Sequence, residues 1–455
     1  MPPSGTDVWG GFGERPVATE PRSFRRVLSE CSKSIALALA VSVLLLVFFS
    51  PSWVAFRAWE RVPGAFWQVI PVRRGSWVVE QVADPFVEIS DELHYILRWR
   101  LLMPMVGHHL GLAPTLVLAL AHVGCVLVLA FVVGLGRKRG YSWRECALLA
   151  VVSGAGAWFF TSTGWLGYYD SWIMLGSLSV AWVRSRWLLW LACLLTPWVD
   201  ERFVLAFPLA LLVRWISSSP GHHSLSGLVR WLVREASIAV VLVAGYALLR
   251  LWLAGRGGSP TLDQYRSAVE FEKVPLGRLL FGCWEGLRAG WIPVLAAVPL
   301  LGRERSLPGG LLAVGICGTT LAGLACNNDL SRSASLMLPV LPLGWGFVRA
   351  TAGWTRWRLG PILGGLALLL PAHHVVSTFT IPVDRIWQEV RLLQDPPWPY
   401  CPDDYLEEAR RAASDGEHAL AVDMATIALG LAGPQSRVGA RAIEVLSEVQ
   451  GGGGR

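Results

Sequence analysis

Charge is scarce in this chain. Only 16% of its 455 residues are Asp, Glu, Lys or Arg, where a soluble domain carries roughly 25%. A soluble globular fold is excluded on that ground. The 53% hydrophobic content and the mean hydropathy of +0.46 point the same way. Cysteine motifs are missing as well. The eight Cys show no CxxC spacing, so neither a zinc site nor a disulfide framework is expected. Cys125, Cys146, Cys193, Cys317 and Cys326 fall in or beside apolar runs, where a thiol behaves as a small hydrophobe. No small-residue cleavage site follows the first apolar run, Ser34–Phe56, so that run is expected to stay as an anchor. No internal repeat is evident, which counts against transporters built from inverted repeats.

What is present is a succession of apolar runs near the roughly 20 residues that a membrane helix needs. The chain reads as all-α, a polytopic transmembrane helical bundle. Its 24 Trp suit the bilayer interface. The net charge of +7 is mostly Arg in short connections, which is a topology signal rather than a nucleic-acid surface. Spans are expected near 34–56, 112–135 and 146–162, with a fourth returning by about 182, and later near 236–254, 284–301, 309–326, 334–350 and 358–376. Two half-length runs, 187–199 and 203–213, lie between these groups. Arg25, Arg137, Arg184, Arg214, Arg303 and Arg356 mark every second connection as basic and so as cytoplasmic. That gives about eleven crossings in a plasma membrane, the bacterial inner membrane, with the N-terminal tail 1–33 inside and the C-terminus outside.

After the membrane part (34–380), 381–402 reads as a Pro-rich linker and 403–450 as two or three amphipathic helices. Gly416, Ala421, Ala425, Ala428 and Pro434 resemble the small-residue spacing of a tetratricopeptide repeat. One repeat rarely folds alone, so this tail is expected to pack on the membrane part or on a protein partner.

The scarce charges are not scattered. The connections expected outside carry Asp91-Glu92, Arg98 and Arg100 in the long loop 57–111, then Asp170, then Asp200-Glu201-Arg202, then Asp329 and Arg332. Ionisable groups near membrane depth are costly and read as functional by default. A carboxylate suits a general base, and a guanidinium fork suits a phosphate. Tyr95 and Trp99 offer a face on which a sugar can stack. Together these residues suit sugar transfer from a lipid phosphate at the membrane surface.

The stretch "DELHYILRWRLLMP", with its acidic pair in the first long outer loop, resembles the GT-C superfamily of membrane glycosyltransferases. "VDERF" at 199–203 is similar to a His-(Lys)-Glu-Glu-Arg-Phe motif of the mannosyltransferase branch, with Asp200 in place of the first Glu and no preceding His. The resemblance implies a polyprenyl-phosphate sugar donor, Asp91 as base with Glu92 beside it, and inversion at the anomeric carbon. It also implies that Asp200, Glu201 and Arg202 line the cavity or hold its architecture. Arg98, Arg100, Asp170, Asp329 and Arg332 complete the expected substrate-binding set. No cofactor is called for, and nothing supports a divalent metal. The implied partners are the lipid-linked donor and membrane lipids, not nucleic acid.

Each element also has a plainer reading. Asp91-Glu92 suits a helix start, and Arg98 and Arg100 suit arginines reaching to headgroups. Asp200-Glu201-Arg202 suits a local ion pair, Asp170 a helix cap, and Asp329 with Arg332 a structural pair. His108-His109 and His373-His374 read as interfacial residues. A transporter or lipid flippase with outward-facing Asp/Arg pairs is the alternative function. A non-catalytic scaffold that displays the tail is a third.

Overall fold

The computed structural model describes residues 24–62, 70–87, 95–218, 224–254, 274–304, 306–326, 328–351 and 356–452. Among these residues the fold is all-α apart from two three-residue strands, His373–Val375 and Thr380–Pro382, paired antiparallel. Four helices are long and apolar enough to cross a membrane: Leu28–Phe48, Pro114–Lys138, Leu225–Ala254 and Ser306–Cys326. Trp143–Gly154 and Ala157–Gly164, bent by 68° at their junction, make a fifth if counted as one broken span. The remaining apolar runs form shorter helices, among them Asp170–Trp182, Arg186–Leu195 and Arg202–Ser218.

Local chemistry sets these boundaries. Pro51 follows the end of the first long helix at Phe48, so that helix stops short of 56 and the separate helix Trp53–Arg61 begins. Pro114 opens its helix at the one turn where a missing N–H costs nothing. Ser142 and Glu145 form a reciprocal capping box at Trp143–Gly154. Thr196-Pro197 ends the run of Arg186–Leu195 in a short 3-10 turn. The two half-length runs are therefore two helices, and the charged stretch at 200–202 sits in the break between them.

Charged pairs collect at two ends of the bundle. At one end, Arg137 lies 3.4 Å from Glu30, Arg349 lies 2.9 Å from Glu145, and Arg186 lies 2.8 Å from Glu235. These are the basic connections of the sequence. Helix Asp170–Trp182 runs between the ends, with Trp182 stacked under Arg139 at the basic end and Asp170 at the other. The core between them is apolar and closely packed, with Leu129, Val133, Trp158, Phe160, Phe203 and Phe347 fully buried.

The region 57–111 is not an open loop. It contributes to helix Trp53–Arg61 and holds helices Ile70–Ala83 and Leu102–Leu110 and a 3-10 turn over Tyr95–Trp99. Nor is 381–402 an open linker: helix Ile386–Gln394 lies within it. Its Glu389, 2% exposed, accepts the Val54 backbone N–H at 2.9 Å and so caps helix Trp53–Arg61. The tail forms three helices, Pro402–Ser414, His418–Ala432 and Arg437–Gly452, closed over Leu406, Ala409, Ala421, Ala425, Ala428 and Ala442. It docks on the membrane part where Arg61 donates to the Leu431 carbonyl and Gly430 meets Val62.

Replacing Glu389 with Ala removes the cap from a buried N–H and is expected to cost about 1–3 kcal/mol, with Gln costing less. Burial holds the Glu389 carboxyl above its ordinary value of 4.5. The folded chain therefore holds that proton more tightly than the unfolded chain. Its contribution is complete below the ordinary value and is lost as pH rises through the raised one. Thermal unfolding of the detergent-solubilised protein across pH checks both points; Glu389→Gln should flatten that part of the profile.

Candidate functional site

The end of the bundle opposite the basic connections carries one continuous ion-pair network. Its members come from four separate stretches of chain. Asp170 is the first residue of helix Asp170–Trp182, where a negative charge meets the positive end of the helix dipole. Thr161 Oγ1 donates to Asp170 Oδ2 at 2.9 Å. Arg332, on the short helix Leu330–Ala334, grips the same carboxylate with a fork: Nε to Oδ2 at 2.7 Å and Nη2 to Oδ1 at 3.0 Å. Its Nη1 donates to Asp329. Arg202 Nη2 reaches Asp170 at 2.5 Å and Asp200 at 2.8 Å, and its Nε reaches Asp200 at 2.9 Å.

Asp200 also accepts the Arg202 backbone N–H at 3.0 Å, which folds the turn ahead of helix Arg202–Ser218. Arg100 closes the far side. It lies 2.7 Å from Asp200 and holds Glu201 with a second fork, at 3.1 and 2.6 Å. Glu201 and Asp329, at the two extremes, are partly exposed, whereas Asp170, Asp200, Arg202 and Arg332 are each about 2% exposed or less.

Seven residues expected at the site therefore meet: Arg100, Asp170, Asp200, Glu201, Arg202, Asp329 and Arg332. Arg98 does not join them. Its guanidinium stands 6.0 Å from the Trp99 ring, and its carbonyl accepts from Gln81. Asp91 and Glu92 lie outside the described residues. Asp170 is more than a helix cap, because two arginines from distant segments converge on it.

The structure adds members that the sequence did not single out. His374 is 1% exposed, not interfacial; its Nε2 lies 3.4 Å from Asp329 and its Nδ1 3.4 Å from Ser331 Oγ. Tyr168 lies beneath two guanidiniums, Arg332 at 4.2 Å and Arg74 at 4.5 Å from its ring centre. Arg74 arrives there through close backbone packing. Gly167, at φ +76°, and Gly75 leave no room for a Cβ between helix Ile70–Ala83 and the turn at 165–169. The Leu166 N–H bonds to the Pro71 carbonyl at 2.8 Å across the same contact. That residues 73 and 74 lie on the same long connection as Arg100 was the available signal.

Pairing fixes what these groups can do. Burial alone would raise the Asp200 carboxyl, but Arg100 and Arg202 hold it well below the ordinary carboxylate range. Asp329 is held low in the same way by Arg332 and His374. A base must have a proton affinity near the working pH, so neither carboxylate suits proton abstraction. They suit positioning. Among the described residues no group of three His, Cys, Asp or Glu side chains is placed to hold a metal ion. A shallow cleft lined by Glu145, Trp345, Arg349 and Gly360 opens at the basic end, away from the network.

Comparison with known proteins returns no family model, no curated protein and no solved structure that matches the chain.

Asp170→Ala leaves Arg202 and Arg332 buried with one carboxylate fewer. It should destabilise the protein by about 3–5 kcal/mol, the cost of breaking a buried pair from one side. Glu201→Gln, at the partly exposed edge, should cost less, because Arg100 keeps Asp200 as a partner. Melting temperatures of the two variants in one detergent decide this; equal losses would mean that the network is not the fold's anchor.

Proposed function

We propose that the chain is a membrane glycosyltransferase of GT-C type, transferring a sugar from a lipid-phosphate donor to a hydroxyl acceptor with inversion. The observation that carries this reading is the meeting of four sequence-distant connections in one charged network, at the end opposite the basic loops. Bare topology signals need no such meeting. In this reading the shorter helices complete about eleven crossings, and the basic end faces the cytoplasm. The network end then faces outward, as does the tail.

The roles divide cleanly. Asp91 is the base, with Glu92 beside it, because Asp170, Asp200 and Asp329 are each gripped by arginines and held as anions. Arg100 anchors the polypeptide that follows this acidic pair to Asp200 and Glu201, so the network sets where the pair can work. The hydroxyl loses its proton to Asp91 as its oxygen attacks the anomeric carbon. The bond to the phosphate oxygen breaks on the opposite face.

One feature favours a transporter as the second reading. Arg332 Nη2 stands 3.0 Å from Asp170 and 3.8 Å from Asp200, so one guanidinium faces two partners between which a gate can switch. Purified protein in liposomes separates the readings. Sugar transfer from polyprenyl-phosphate sugars should fall by about 10²- to 10⁴-fold in Asp91→Asn, the usual loss for a general base, with membrane insertion unchanged. Transfer retained in that variant would remove Asp91 from the mechanism. Solute or lipid flux without any transfer would assign the transporter.

A further inference from the structure

Three of the four arginines that the sequence nominates for the substrate are already engaged, and the fourth, Arg98, lies apart from the network beside the Trp99 ring. Arg100, Arg202 and Arg332 face the four carboxylates Asp170, Asp200, Glu201 and Asp329, and every one of these arginines makes at least one close pair. Arg74 differs. It is 7% exposed, and among the described residues it makes no ion pair and no hydrogen bond through its guanidinium. Among those residues its guanidinium lies against the ring of Tyr168, which it shares with Arg332. Arg202 Nη1, in the same network, is also buried without a hydrogen-bond partner.

A buried cation without an anion is costly. Burial, then the neighbouring Arg100 and Arg332, push the Arg74 guanidinium down to about 9. Tyr168 and Asp200 pull the other way, and the group is still protonated at neutral pH, but among the described residues no carboxylate touches its donor edge. We propose that Arg74 and the Tyr168 ring beneath it form an anion site for a phosphate group, entering beside the network rather than displacing its pairs. A guanidinium fork presents parallel N–H donors at the spacing of phosphate oxygens. A tetrahedral phosphate keeps further oxygens free for a second donor after filling that fork. A planar carboxylate is used up by the fork alone, and the network beside Arg74 already holds more carboxylates than arginines. Tyr168 backs the guanidinium from its face and leaves the donor edge for the ligand.

The identity of the carrier rests on the transferase reading, in which the phosphate belongs to the donor lipid; the site itself does not. The test uses the full chain in detergent with two probes, farnesyl phosphate and inorganic phosphate, followed by titration calorimetry. Farnesyl phosphate should bind at least tenfold more weakly to Arg74→Gln, and Arg74→Lys, which keeps the charge and loses the fork, should fall between. Arg74→Gln should melt no lower than the parent, because it removes an unpaired charge. If Arg74→Gln does not fold, Arg74→Lys decides by the same affinity criterion.

Equal affinity for both probes, lost together in Arg74→Gln, makes the ligand free phosphate and supports the site. Binding that is indifferent to Arg74, or absent in the parent, overturns it. Asp91-dependent sugar transfer with Arg74-independent binding would sink this inference alone. Arg74-dependent binding without sugar transfer would sink the transferase reading alone.

Discussion

The rest of the structure hangs on the bidentate grip of Arg332 on Asp170. Two charges taken out of water lose several kcal/mol of hydration each, and only close, well-aligned partners return it. Asp170 meets that demand with Arg332 on both oxygens, Arg202 on one, and Thr161 on the other. The grip joins the start of helix Asp170–Trp182 to a helix more than 150 positions later. Through Arg202 and Asp200 it reaches Arg100. Apolar contacts hold the same helices together, but many sliding arrangements satisfy apolar contacts. Charged forks admit one register, so the network selects among packings that the core alone leaves open.

This arrangement separates rigidity from chemistry. Asp170, Asp200 and Asp329 are held as anions by the arginines against them and do not trade protons at neutral pH. Its three arginines, Arg100, Arg202 and Arg332, have carboxylate partners, so they present little spare charge to a ligand. What the network offers a reaction is position: it fixes the chain at Arg100 and the ring of Tyr168. Groups that must change their charge or bind an anion sit beside it. A preorganised polar environment of this kind costs no rearrangement when a reaction begins.

Much of this was legible in the sequence, for a physical reason. Ionisable residues are rare enough in an apolar chain that each stands out, and the alternation of basic connections places the rest on one face. Asp170, Asp200, Arg202 and Arg332 were found that way. Whether they would pair with one another or wait for a ligand is a matter of a few ångströms, which spacing along the chain does not encode. Arg74 escaped notice because adjacent arginines in "VRRGSW" look like a wet surface. Its burial comes from Gly75 and Gly167 packing against other segments, a long-range property. His374 escaped because a histidine at the end of an apolar run resembles an interfacial one. The bend between Gly154 and Ala157 was hidden inside a single apolar run. Helix Ile386–Gln394 was hidden by the prolines on either side of it.

That bend has a consequence for how distant segments are joined. At its corner the Ala155 carbonyl is buried, and the group that answers it is Arg288, which lies 3.3 Å away and belongs to a much later segment. Arg288 also collects the Ala367, Leu370 and Pro371 carbonyls, with its backbone at φ +50° and its side chain wholly buried. A buried carbonyl with no donor is expensive. One side chain therefore ties the corner at 155 to the turn that follows helix Arg356–Leu369, and a substitution at Arg288 would leave acceptors bare in both places.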